Sequence, residues 1–194
     1  MGQASFSAAV SAWVTETKER MDAVRKEAAK RTVAIMQTPG PSVATVKKAI
    51  SAGAGLGRVK KNGERGVSKK AFGPIPNPGG TGNLPVDSGF LRASLMGVIG
   101  EGTFTATEPP KDGSGFSYDA GQINLVIAGS KLTDTITVAY TAAYARRMEY
   151  GFKGTDSLGR EYNQSGRRFV ALAAQQWGRV VSEVAAEAQT RATK

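Results

Sequence analysis

The segment TAAYARRMEYG, residues 141–151, places two arginines and one glutamate between two tyrosines. Charge is concentrated in this way at catalytic centres, and also on surfaces that bind partner proteins. On a helix, residues three and four positions apart share a face. We therefore expect Arg146, Glu149 and Tyr150 to lie on one face of a short helix, with Arg147 pointing elsewhere.

Acid–base catalysis in this segment would need a group that gains and loses a proton during the reaction. The guanidinium groups stay protonated in proteins, and no second titrating group accompanies Glu149, so the cluster has no proton relay. Arginine and tyrosine are, by contrast, enriched at protein interfaces. The segment favours a binding surface over an active centre. Two alternatives remain open for it: an intersubunit contact, or an internal salt bridge that fixes the helix to its own domain.

The composition excludes most other catalytic designs. The 194 residues include no cysteine and no histidine, which excludes disulfides, thiolate nucleophiles, imidazole-based triads and zinc sites built on those ligands. The 16 acidic residues are scattered, and nothing in their spacing points to a metal site or to paired catalytic carboxylates. We expect a protein that is not an enzyme and that uses no cofactor.

The formal charge of +10 predicts an anionic partner, such as nucleic acid, an acidic protein surface or an anionic membrane. No apolar run approaches the ~20 residues that a membrane-spanning helix needs, and we expect no membrane partner.

The longest predicted element is an amphipathic helix from Phe6 to Met36. Its apolar residues recur mostly at intervals of three, four or seven, which is the spacing of one helical face. Ser5 is expected to cap its start, and Pro39 with Gly40 to end it. At 1.5 Å per residue the helix spans ~46 Å, which exceeds what a small domain needs and leaves its outer part available to a neighbouring subunit.

A single domain, 1–194, is predicted to carry an insertion at residues 38–83. This insertion begins with a short helix capped by Ser42 and continues as a long loop rich in glycine and proline, which fits neither a P-loop nor a dinucleotide fingerprint. Three alternatives remain open for the loop: a flexible solvated segment, a dedicated nucleic-acid site, or a segment that becomes ordered on an acidic partner. Its candidate contacts to DNA or to such a partner are Arg58, Lys60, Lys61, Arg65, Lys69 and Lys70.

The second half of the chain predicts an α+β fold with one antiparallel sheet. A short helix capped by Asp87 or Ser88 reaches Leu95, and a strand follows within residues 95–108. The segments INLVIAG (123–129) and TITVAYT (135–141) alternate apolar with smaller or polar residues, which predicts a β-hairpin. The long N-terminal helix and a C-terminal helix are expected to pack on this sheet.

The C-terminal part of the chain predicts a polar loop between two helices. The short helix in residues 141–150 is expected to stop at Gly151, and residues 152–166 read as the loop. Ser165 is expected to cap the last helix, whose apolar stripe runs from Phe169 to Ala188.

Three segments in this order resemble motifs of the siphophage tail-completion or neck proteins. LPVDSGFLRASL (84–95) resembles that family's PVDTG-x-LR-x-S segment, and YARRMEYG (144–151) is similar to YA-x-x-x-E-[FY]-G. RRFVALAAQQW (167–177) is similar to the closing RPF-L-x-P-A helix. The sequence departs from the pattern at Arg168 and near Ala173, where the family has prolines.

The resemblance implies a structural virion protein that forms a ring at the phage neck, completes the tail and joins it to the head. It implies contacts with copies of itself, as a hexamer or, alternatively, a dodecamer. It also implies contacts with the head-side connector or portal, with the tail terminator or tube protein, and with DNA passing through the lumen. Assembly would take place in the cytoplasm of the host bacterium. The candidate interface residues are Arg146, Arg147, Glu149, Tyr150, Arg168 and Phe169. The alternative function is a basic nucleic-acid-binding module, which the net charge favours.

Overall fold

The computed structural model describes residues 5–40, 51–52, 58–59, 63–66, 82–86, 88–111, 114–155, 159 and 161–192. Helices and short antiparallel strand pairs are mixed along these ranges, and the long N-terminal helix packs against a C-terminal helix. The predicted α+β class is therefore confirmed.

Six helices and three strand pairs are found in these ranges. The helices are α1 (Phe6–Met36), α2 (Phe90–Ala93), α3 (Ala120–Gly129), α4 (Ala145–Tyr150), α5 (Phe169–Gln175) and α6 (Trp177–Ala192). The strand pairs, all antiparallel, are β1 (Arg58–Val59) with β2 (Arg65–Gly66), β3 (Leu95–Ile99) with β4 (Ile136–Tyr140), and β5 (Gly151–Thr155) with β6 (Glu161–Ser165).

Helix α1 has the predicted bounds. The Ser5 hydroxyl accepts a hydrogen bond from the Ala8 N–H at 3.3 Å, which satisfies one of the N–H groups that a helix start leaves unpaired. The C-terminal half of α1 packs against α6 through a cluster that includes Ala28, Val180 and Val184. Arg31 ties the same two helices together, because its two terminal nitrogens each donate to a carboxylate oxygen of Glu187 at 2.7 Å. This bridge holds the pKa of Glu187 below its usual range.

The prediction of a strand at residues 123–129 is wrong, because these residues belong to helix α3. The Asp119 side chain caps this helix by accepting the Gly121 N–H at 2.7 Å. Ile123 and Ile127, four positions apart, are both buried, whereas Leu125 is 76% exposed. A strand would place all three side chains on the same side, so the buried pair follows the helical period.

Strand β4 pairs with β3, from Leu95↔Tyr140 to Ile99↔Ile136, so the predicted hairpin of 123–129 with 135–141 does not form. The predicted strand within 95–108 ends at Ile99, and Leu95 is its first residue instead of the end of a helix. The Ser88 hydroxyl accepts the Phe90 N–H at 3.4 Å near the start of α2, while Asp87 lies outside the described residues.

The polar segment 152–166 is not a plain loop, because β5 and β6 pair across it from Gly151↔Ser165 to Thr155↔Glu161. Ser165 ends β6 and does not cap the last helix. That helix begins at Phe169 and is divided at Gln176 into α5 and α6. Ser42 and residues 43–50 of the helix expected after it lie outside the described residues, as do Lys60, Lys61, Lys69 and Lys70. Of the six loop candidates, the backbone of Arg58 and Arg65 belongs to the β1–β2 pair.

The core joins helices α2, α3 and α5 to the β3–β4 pair. Its largest fully buried side chains include Leu84, Ile123 and Ile127. Phe169 of α5 packs its ring edge-to-face against Tyr140 of β4, with ring centroids 5.2 Å apart. None of the helices in the described ranges combines the length and the apolar character needed to cross a bilayer.

Candidate interaction surfaces

Glu149 of helix α4 is only 5% exposed, and its carboxylate lies at the start of helix α5. Oε2 accepts the Val170 N–H at 3.0 Å, and Oε1 accepts the Ala171 N–H at 2.9 Å. The first N–H groups of a helix have no intrahelical partner and form the positive end of its dipole. Glu149 therefore acts as a helix cap that is supplied from another element of the fold.

The main chain ties the same two elements together. The carbonyl oxygens at the end of α4 accept two further hydrogen bonds. The Met148 carbonyl oxygen accepts one from the Arg167 N–H at 2.8 Å, and the Glu149 carbonyl oxygen accepts one from the Arg168 N–H at 3.0 Å. The last carbonyls of a helix also lack intrahelical donors. The end of α4 and the start of α5 thus satisfy each other's unpaired backbone groups, and we call this contact the α4–α5 junction.

The prediction that Arg146, Glu149 and Tyr150 lie on one face of this helix is wrong. Ala145 and Glu149, four positions apart, form the buried side of α4, while Arg146 is exposed and Tyr150 is 75% exposed. The reason is the position of α5, whose N-terminus offers partners for a carboxylate on the inner side. Glu149 does fix the helix to its own domain, but through backbone hydrogen bonds of a helix start instead of the predicted salt bridge.

Two of the six candidate interface residues are buried within the protomer. Phe169 is 3% exposed and belongs to the core, and Glu149 is used as the cap. Neither side chain is available to a neighbour, so both assignments are corrected. Arg146, Arg147, Tyr150 and Arg168 are exposed, and their role at an interface stays a prediction.

The exposed charged side chains in the described residues around the α4–α5 junction are all cationic. The described residues 141–155 and 166–175 contain one acidic residue, Glu149, whose carboxylate faces the helix start. The guanidinium of Arg147 lies 4.7 Å from the centre of the Phe152 ring, a cation–π distance that holds this side chain in place. Burial lowers the pKa of the neighbouring Arg167. We define the exposed set as the basic patch: Arg146, Arg147, Lys153 and Arg168.

Arg168 differs from the proline of the family pattern for a local reason. Its φ is 54°, in the left-handed region, and its N–H donates to the Glu149 carbonyl oxygen. Proline fixes φ near −65° and has no N–H, so this junction geometry excludes it. The absence of proline at position 168 therefore follows from the backbone geometry by which this chain joins α4 to α5.

Replacing Arg168 with glycine is expected to raise the free energy of unfolding by about 0.5 kcal/mol. Glycine removes the left-handed penalty of a side chain, and its greater unfolded-state entropy offsets part of that gain. The matched control is Arg179→Gly in helix α6, where Arg179 is exposed and helical. The control is expected to lose about 1 kcal/mol. Urea unfolding measures both changes, and equal losses in the two variants would contradict the assignment of strain at Arg168.

The outer half of α1 carries a second candidate surface. In the inner half the apolar stripe is covered by α6, which ends at Ala192. Residues 5–21 are exposed except for the half-buried Thr17. The stripe nevertheless continues through them, and Phe6 and Trp13 are 85% and 65% exposed. We call these residues the outer stripe: Phe6, Val10, Trp13, Val14 and Met21. Its exposure is what packing against a neighbour requires, and the contact itself stays a prediction.

A cavity of about 350 Å³ lies between the inner half of α1, strand β4 and helices α5 and α6. Its walls are mainly apolar and include Met36, Ile136 and Val138. The exposed residues of its lining are Val170, Ala174 and Trp177, and we call these three the cavity mouth. The sequence analysis missed this cavity, because its walls come from elements that are distant along the chain.

Within the described residues, no group of three or more acidic side chains is placed to hold a metal ion. No protein-family model, curated protein or solved structure matches the chain.

Proposed function

We propose that this chain is a structural subunit of a ring at the neck of a siphophage, where it completes the tail and joins it to the head connector. The observation that carries the proposal is the outer stripe of α1. Soluble monomers rarely expose contiguous apolar patches beyond a few hundred Å². A subunit that covers such a stripe by assembling with copies of itself removes this apolar surface from water.

The packing of the three motifs supports the resemblance on which the proposal rests. Phe90 and Leu91 of the first motif belong to the same core cluster as Ala145 of the second and Phe169 of the third. The glutamate of the second motif, Glu149, caps the helix that the third motif forms. The motif residues therefore depend on one another physically, which gives a reason for their occurrence in one chain.

The charge distribution suits the same role. A ring around DNA benefits from non-specific contacts between cationic side chains and phosphates, and the basic patch would supply them without a base-reading motif. The net charge of +10 acts in the same direction. The proposed neighbours are copies of the chain in a hexamer or dodecamer, the head-side connector or portal, and the tail terminator or tube protein.

Native mass spectrometry of the purified chain and immunogold labelling of virions test the proposal together. We expect a closed oligomer of uniform subunit number and a single labelled band between head and tail. A strict monomer, together with infectious virions whose tails are intact without this protein, would reject it.

A nucleic-acid-binding module is the second candidate, and the basic patch is the observation that favours it. Each phosphate contact contributes about −0.9 to the slope of log affinity against log salt on duplex DNA. The double variant Arg146→Gln/Arg168→Gln removes two such contacts, so its slope is expected to be less steep by about 2. The matched control is Arg179→Gln, because Arg179 is paired with Glu183 on α6.

A separate variant neutralises Lys60, Lys61, Lys69 and Lys70 to test the basic loop. Gel-shift titrations at several salt concentrations measure the slopes, and absence of binding at low salt would end this alternative.

A further inference from the structure

We propose that the outer half of α1 from one subunit docks its apolar stripe into the cavity mouth of the next subunit, at Val170, Ala174 and Trp177. This inference rests on the proposed ring and names the contact that would build it. The outer stripe and the cavity mouth are both uncovered apolar surfaces within the part of the chain that the structure describes, and a single type of contact covers both.

The docked helix must come from another molecule. The inner half of α1 forms one wall of the cavity, with Ala29, Val33 and Met36 among the lining residues. The outer half continues the same unbroken helix away from that wall. A continuous helix does not fold back on itself without a break, so a protomer has no means of placing Trp13 in its own cavity.

Helix α6 leaves the outer stripe free for this purpose. The apolar cluster and the ion pair that join α6 to α1 lie in the inner half of α1, around Ala28 and at Arg31. The stripe residues Phe6, Val10 and Trp13 lie further towards the start of α1 and are exposed.

The exposed apolar area of the outer stripe supplies a substantial part of what one side of an interface requires. A phenylalanine or tryptophan side chain buries ~150–250 Å² when it is fully covered. With Phe6 85% and Trp13 65% exposed, these two residues alone offer roughly 200–400 Å² of apolar surface. Val10, Val14, Met21 and a polar rim add to this, which brings one side towards the ~800 Å² of a standard interface.

A head-to-tail contact accounts for the structure better than a symmetric one. Pairing two outer stripes around a twofold axis would cover both helices but leave the cavity mouths open. Docking stripe into mouth uses two different surfaces of each subunit, which is the kind of interface that closes into a ring. The two arrangements differ in which substitutions disrupt them.

The experiment compares oligomer mass for the wild-type chain and for two variants, Trp13→Glu on the stripe and Ala174→Glu at the mouth. Both side chains are exposed in the protomer, so folding is expected to be retained. Each change introduces a charge into a contact that would be desolvated. We expect each to weaken association at least ~30-fold, as loss of an interface hot spot does. Ala174→Lys repeats the mouth test if Ala174→Glu lowers the melting temperature.

A mixing experiment identifies the direction of the contact. The Trp13→Glu subunit keeps an intact mouth, and the Ala174→Glu subunit keeps an intact stripe. Mixed together, they are expected to form a heterodimer that grows no further, since only one productive contact remains. The control Ala12→Glu lies about half a turn from the stripe on α1 and is expected to assemble like the wild type.

The outcomes separate the contact from the ring. A wild-type ring that persists in both variants overturns the docking proposal and leaves the proposed function intact. Dissociation by Trp13→Glu alone, with Ala174→Glu and Ala174→Lys unaffected, indicates symmetric stripe pairing and also overturns it. A wild-type chain that remains monomeric at the highest concentration reached overturns the docking contact, while virion labelling decides the function separately.

Discussion

Replacing Glu149 with alanine is expected to lower the free energy of unfolding by about 2–4 kcal/mol. The substitution removes the acceptor of two N–H groups at the start of α5, those of Val170 and Ala171. Hydrogen bonds to a charged group contribute about 1.5–3 kcal/mol each, and partly buried donors that lose their acceptor add a desolvation cost. The effect exceeds that of a typical exposed helix cap, about 1 kcal/mol, because this carboxylate is buried.

Urea unfolding followed by circular dichroism measures the Glu149 effect. Glu149→Gln keeps one acceptor oxygen and loses the charge, so we expect about half of the alanine loss. The matched control is Glu183→Ala on α6, where the carboxylate is exposed and paired with Arg179; its loss should stay within about 1 kcal/mol. A Glu149→Ala loss no larger than that of the control would contradict the assignment of a buried cap.

Replacing Gly166 with alanine is expected to cost more than about 3 kcal/mol or to prevent folding. An added Cβ would lie 2.3 Å from the Glu149 carbonyl oxygen, 2.5 Å from the Tyr150 carbonyl carbon and 2.8 Å from the Gly151 nitrogen. All three atoms belong to the main chain at the end of α4, so no side-chain rotation relieves the overlap. Accommodating the methyl group would separate α4 from α5.

The control for this variant is Gly178→Ala in helix α6. A Cβ at Gly178 meets no atom within 4 Å, and alanine is a better helix former than glycine by about 1 kcal/mol. The two substitutions are chemically identical but are expected to change stability in opposite directions. Thermal unfolding of both variants checks this, and a Gly166→Ala protein as stable as the wild type would show that the α4–α5 junction is looser than its geometry indicates.

These two results also bear on the motifs of the resemblance. Glu149 and the closing helix would then be elements that hold the protomer together, while partner contacts would fall to exposed residues such as Tyr150, Arg146 and Trp13. Variants at exposed positions should change assembly with little effect on stability, and variants at the junction should do the reverse. A measurement of both properties in each variant separates the two roles.

The sequence alone determined those features that depend on neighbours along the chain. Helix α1 has the predicted bounds from Phe6 to Met36 and the predicted cap at Ser5, because a helix start and a 3.6-residue period are local properties. The α+β class followed from the mixture of helical stripes and alternating segments. The exclusion of thiolate and imidazole chemistry followed from composition, since the chain has no cysteine and no histidine.

Only the tertiary structure decided whether a segment is a helix or a strand where its apolar pattern fits both the helical and the strand period. In INLVIAG, Ile123 and Ile127 satisfy a spacing of four as well as a spacing of two, and burial of this pair without Leu125 selects the helix. The capping role of Glu149 could not be predicted from the sequence either, because the residues whose N–H groups it accepts lie 21 and 22 positions further along the chain. Periodicity shows which side chains share a face. What that face meets is decided by packing between distant segments, which here turned an exposed-looking glutamate inward and left the stripe of α1 uncovered.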